Sequence, residues 1–185
     1  MKHGDWAETS LVLGSLSHTL TQAVDVGDAK AVRSSIEQIL TWGGNRNKKV
    51  GAWPFIVRMS DAALVKYMRN TRQLLTLNTA KLPVTDGKKG VQKMNAMLSK
   101  VHALNAGDGL PIYDSRVAAG IACLIELWSS HVGLERNTLP ASLLFQSTDE
   151  RRTVNVIDET ALAPRMMQRE TASDQAWASC KVRLG

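Results

Sequence analysis

Two residues fourteen positions apart could do chemistry together: Lys100, within Asn95-Ala96-Met97-Leu98-Ser99-Lys100-Val101, and Asp114, within Leu110-Pro111-Ile112-Tyr113-Asp114-Ser115-Arg116-Val117. A lysine amine attacks carbon only when deprotonated, and an apolar setting or a neighbouring cation favours that neutral form. Met97, Leu98 and Val101 give Lys100 such apolar neighbours. A carboxylate, in turn, stabilises a developing cation or moves a proton. Each residue also has a plainer reading. Lys100 can be a helix-surface lysine, and Asp114 can be an N-cap, because Val117, Ile121, Leu124 and Trp128 recur on one helical face just after it. Capping and catalysis are compatible roles for one aspartate.

Other familiar chemistries are missing from the chain. No GxxxxGK(S/T) or GxGxxG cradles a phosphate, no HExxH holds zinc, and no GxSxG forms a nucleophile elbow. His3, His18, His102 and His131 form no cluster and read as surface or structural residues. Cys123 and Cys180 form no CxxC and read as reduced thiols, Cys123 in the core. No metal or cofactor is expected. Gly87-Lys88-Lys89-Gly90 matches the GXXG loop with which KH domains grip single-stranded RNA, but that domain needs strands where these neighbours read as helical; a lysine-rich turn is the alternative.

The elements that must position Lys100 and Asp114 are helices. Leu13, Leu16 and Leu20 recur at helical steps; Asp28 then caps a second helix burying Val32, Ile36, Ile39 and Leu40, up to the Gly43-Gly44 break. After Pro54, Asp61 is placed to cap a helix through Leu64, Val65, Met68, Arg72 and Leu75. Leu82 to Gly90 reads as a turn-rich connector. A further helical pattern runs through Val91, Met94, Leu98, Val101 and Leu104 to Asn105 and Gly107, and the helix opened by Asp114 reads as the central one. Beyond Asn137 come a short apolar run (Leu143, Leu144, Phe145), an irregular stretch over 137–170 with a short strand near Arg152 to Ile157, and a last helix over 171–184 bearing Ala176, Trp177, Cys180 and Leu184.

The composition, 185 residues at 44% hydrophobic and 22% charged, suits one globular domain, mainly α, over 1–185. No run approaches the roughly 18 apolar residues of a membrane span, and the first residues lack the order of a signal peptide, so a cytoplasmic location is expected. The net charge of +6 is unevenly spread: residues 41–100 hold twelve basic side chains against two acids, a local +10, leaving −4 elsewhere. Such segregation suits a partner rich in phosphate, since each contacting Lys or Arg releases counterions from the nucleic acid.

The segments around Lys100 and Asp114 resemble the helix-hairpin-helix DNA glycosylase superfamily, and within it the compact bacterial proteins with an 8-oxoguanine glycosylase fold. Ser99-Lys100-Val101 is similar to the lysine segment that follows the hairpin, and Pro111-Ile112-Tyr113-Asp114-Ser115-Arg116-Val117 to the aspartate segment that opens the next helix. The resemblance covers about residues 35–130, with a glycosylase-like core over about 28–135, and matches loosely around Trp177. It implies a single-domain helical bundle of that type, DNA as the partner, and excision of a flipped damaged purine such as 8-oxoguanine by N-glycosidic cleavage. Lys100 would be the Schiff-base nucleophile and Asp114 its electrostatic and proton-transfer partner.

Where the superfamily's hairpin has a glycine two or three residues before the lysine, this chain has Met97 and Leu98. Lys93, in Gly90-Val91-Gln92-Lys93, is therefore a second candidate nucleophile. Phosphate contacts would fall to Arg46, Lys48, Lys49, Lys88, Lys89, Lys93 and Arg116. Trp42 and Trp177 would wall the base pocket, because a flipped base is held by aromatic or apolar stacking. Two other readings stay open: a non-catalytic nucleic-acid-binding module on the same fold, and a helical domain whose basic face meets an acidic protein.

Overall fold

A computed structural model describes residues 5–75, 90–133, 154–155 and 161–162. The described chain is mainly helical. Asp5 accepts the Glu8 amide at 2.9 Å and opens α1 (Trp6–Val26), which stops at Gly27, in the left-handed region at φ 86°. Asp28 accepts the Ala31 amide at 3.0 Å and opens α2 (Ala29–Trp42), as its sequence position predicts. Pro54 sits in the first turn of the short α3 (Trp53–Val57), where its missing N–H costs nothing.

The cap of α4 (Asp61–Leu74) differs from the expectation. Ser60 accepts the Ala63 amide, while Asp61, already inside the helix, pairs with Arg33 at 2.9 Å. The next helix, α5 (Ala96–Ala106), starts later than the apolar pattern from Val91 suggests. Asn95 Oδ1 accepts the Met97 and Leu98 amides at 3.0 and 2.9 Å, so the helix begins after it and residues 91–95 stay outside the helix. Val91 and Met94 are buried there with Leu75 and Leu110 in a small apolar cluster beside the main core. Gly107, at φ 74°, ends α5, and α6 (Ser115–His131) follows.

The core lies among α1, α2, α4 and α5, which contact one another pairwise. Leu20, Val24, Val32, Ile36, Ile39, Leu40, Leu64, Met68, Leu98 and Val101 fill it. Its centre is α5, where every residue from Leu98 to Asn105 is buried. The described core thus centres on α5, whereas the sequence pattern points to α6. Leu124 and Trp128, on its apolar face, are 67% and 44% exposed, and none of its described side chains joins either core cluster. Among the described residues, the four helices α1, α2, α4 and α5 supply the main core with α3, and α6 contributes no side chain to it.

Because α5 is buried all round, its polar residues need partners inside the protein. Asn105 donates to the Met68 carbonyl at 2.9 Å and accepts from Arg72, which also pairs with Asp25 at 2.6 Å. His102 Nε2 lies 3.1 Å from Tyr67 Oη, a structural setting for that histidine. Ser17 donates to the Leu104 carbonyl at 2.7 Å, tying α1 to the same helix.

The strand expected near residues 152–157 is met by β1 (Val154–Asn155), antiparallel to β2 (Ala161–Leu162). Among the described residues, no helix is long and apolar enough to cross a membrane. The apolar run 143–145, the helix expected over 171–184 with Cys180, the connector up to residue 89, and the side chain of Cys123 lie outside the described residues.

Candidate active site around Lys100 and Asp114

Lys100 is the fifth residue of α5, and the N-cap Asn95 fixes where that helix begins. Asp114 ends the non-helical stretch between α5 and α6, and Ser99 ties that stretch to α5: its Oγ accepts the Tyr113 amide at 2.6 Å. Leu110 anchors the same stretch in the small apolar cluster.

These constraints bring the two predicted residues together. Lys100 Nζ donates to Asp114 Oδ2 at 3.1 Å and to the Ala96 carbonyl at 3.3 Å. The Lys100 side chain is only 7% exposed and that of Asp114 is 21% exposed, so the pair is largely withdrawn from water yet open on the aspartate side. Asp114 divides its work between its oxygens. Oδ1 accepts the Val117 amide at 3.3 Å, capping α6, while Oδ2 holds the amine. An amine and a carboxylate at this distance can exchange a proton directly, and a carboxylate beside the reacting carbon can stabilise positive charge there.

Lys93, the other candidate nucleophile, stands outside α5 in the non-helical stretch before it, half-buried, with its carbonyl accepting from Tyr67 Oη at 3.3 Å. Trp42 is the last residue of α2 and half-buried; the residue after it, Gly43, packs directly on the Lys100 stem. The end of α2 therefore reaches the lysine, and the cationic loop begins there.

In that loop Arg46 and Lys49 are exposed. Lys48 is engaged within the protein, 2.6 Å from Glu37 and 5.0 Å from the centre of the Trp53 ring. The loop's base is fixed: the Asn45 amide donates to the Leu40 carbonyl at 2.8 Å, and the Trp53 indole donates to the Asn45 carbonyl at 3.1 Å. Lys88, Lys89 and Trp177 lie outside the described residues, as does the side chain of Arg116.

Ser99 and Gly43 border the pair without standing out in the sequence. For Ser99 a signal exists, since it precedes Lys100 by one as Tyr113 precedes Asp114, so one hydrogen bond sets both pairs in register. For Gly43 only its place at a helix end was visible. No protein-family model, curated protein or solved structure matches the chain.

Proposed function

We propose that the protein is a DNA glycosylase of helix-hairpin-helix type with Schiff-base lyase chemistry, acting on a flipped damaged purine such as 8-oxoguanine. The observation that carries this reading is the Lys100–Asp114 pair, an amine and a carboxylate 3.1 Å apart in a nearly closed setting. In the reaction, Asp114 takes a proton from the Lys100 ammonium, and the freed lone pair attacks the sugar C1′. The base leaves with the glycosidic electron pair and takes the proton that Asp114 has received. Opening of the sugar ring then gives a protonated Schiff base to Lys100, from which loss of the 2′ proton expels the 3′ phosphate and nicks the strand.

Arg46 and Lys49 would hold backbone phosphates on a loop whose foot touches the lysine's neighbour Gly43. Trp42, at the same helix end, would flank the extruded base.

The test is borohydride trapping on duplexes carrying 8-oxoguanine or other lesions, comparing the native protein with Lys100→Gln and Lys93→Gln. The reading expects a covalent adduct lost in Lys100→Gln and kept in Lys93→Gln. No adduct on any lesion would defeat the lyase chemistry, and no base release in a parallel assay would defeat the glycosylase reading altogether.

A second reading has its own support. Lys100 also donates to Ala96 in its own helix, and Asp114 also caps α6, as expected of an ion pair that only joins two helices. The protein would then be a non-catalytic nucleic-acid-binding module, marked by salt-dependent DNA binding without adduct or base release.

A further inference from the structure

Two adjacent glycines end α2, and they are glycines for different reasons. Gly44 lies at φ 91°, in the left-handed region that disfavours a side chain, and a Cβ there would meet nothing within 4 Å. Gly43 lies at φ −68° and ψ −5°, an ordinary helical conformation open to any residue. Its backbone does not require glycine. Its surroundings do: a Cβ would stand 2.8 Å from Lys100 Cδ, and 3.3 Å from both the Ile39 carbonyl oxygen and Met97 Sδ.

The Lys100 stem is held at both of its ends. The buried α5 fixes the backbone, and Asp114 with the Ala96 carbonyl fixes the amine. Against a new methyl group the helices cannot readily separate, because Ile39 and Leu98 on either side are fully buried. The long, unbranched lysine stem is the part that gives way.

We propose that Gly43 is a positioning residue, whose missing side chain forms the seat of the Lys100 stem and so keeps the Lys100 amine on Asp114. The seat itself is a matter of packing; its consequence for reaction rests on the glycosylase reading above. Any side chain at position 43 displaces the amine while leaving the helices in place.

The test compares Gly43→Ala, Gly44→Ala and the native protein by two readouts. One is the ε-methylene signal of Lys100 in a proton–carbon NMR correlation, assigned as the signal missing from Lys100→Met. The other is the rate of borohydride trapping on a duplex containing an abasic site. Gly43→Ala should shift the Lys100 signal more than that of any other lysine and slow trapping at least tenfold, with the unfolding midpoint within a few degrees of native. Gly44→Ala should do the reverse, lowering the midpoint through backbone strain while the Lys100 signal stays in place.

An unmoved Lys100 signal in Gly43→Ala would overturn the proposal, as would a displaced signal with an unchanged trapping rate. If the native protein forms no adduct, the Schiff-base lyase chemistry proposed above fails. The NMR comparison then decides the seat alone, a displaced signal supporting it and an unmoved one overturning it.

Discussion

Ser99 Oγ accepts the Tyr113 amide at 2.6 Å, one residue before each member of the Lys100–Asp114 pair. The side chain of a buried serine thereby sets the register between α5 and the returning chain, and the ion pair follows from it. Ser99→Ala removes the oxygen that this buried amide donates to, at a cost of about 1–3 kcal/mol in urea unfolding. It should also slow adduct formation, because Asp114 loses its fixed distance from the amine. Unchanged stability would mean that the stretch from Leu110 is held by packing alone.

The ion pair itself predicts an ordering of variants. Asp114→Asn keeps an oxygen for capping α6 but leaves a largely buried lysine without its counter-charge, a loss of about 3 kcal/mol, towards the low end for buried pairs because Asp114 is 21% exposed. Lys100→Met keeps the apolar stem and removes the charge, so it should cost less. In the double variant the introduced amide faces no buried charge, and much of the stability lost in Asp114→Asn returns. Chemical unfolding of the three proteins reads this directly, and simple additivity would show that the pair is not coupled.

Asn105 provides a control that touches folding and not the reacting groups. It joins the Met68 carbonyl to Arg72 at the buried end of α5. Asn105→Ala should cost about 2 kcal/mol, since the half-buried Arg72 guanidinium loses a partner and a fully buried amide is removed. Trapping per folded molecule should be close to native, measured after correcting for the unfolded fraction.

For the cationic loop, Arg46→Ala and Lys49→Ala should each weaken binding to undamaged duplex DNA and reduce the salt slope of log K by about 0.9. Lys48→Ala should change the slope less, because that ammonium already meets Glu37 and the Trp53 ring. Equal slopes in all three variants and the native protein would remove this loop from the DNA interface.

Much of this arrangement is legible in the sequence because it is local. Asp28 before an amphipathic run, Gly107 and the Gly43-Gly44 break mark helix ends through backbone chemistry that neighbouring residues reveal. The apolar residues around Lys100 point to its burial, and the spacing after Asp114 points to a cap. What fails is what depends on distant chain. Periodicity gives α6 an apolar face but cannot say whether anything covers it, and Leu124 remains exposed. Asn95 overrides the pattern from Val91 by capping later than that pattern suggests. The contact between Gly43 and Lys100 joins residues far apart in sequence, and a helical φ gives no hint of it.

The central claim, that the Lys100 amine forms the bond to C1′, is tested most directly by locating the trapped adduct. The native protein is reduced with borohydride on an 8-oxoguanine duplex, digested with protease and nuclease, and mapped by mass spectrometry. A single modified site at Lys100 is expected. Modification of Lys93 or any other amine, or no modified peptide at all, would contradict it.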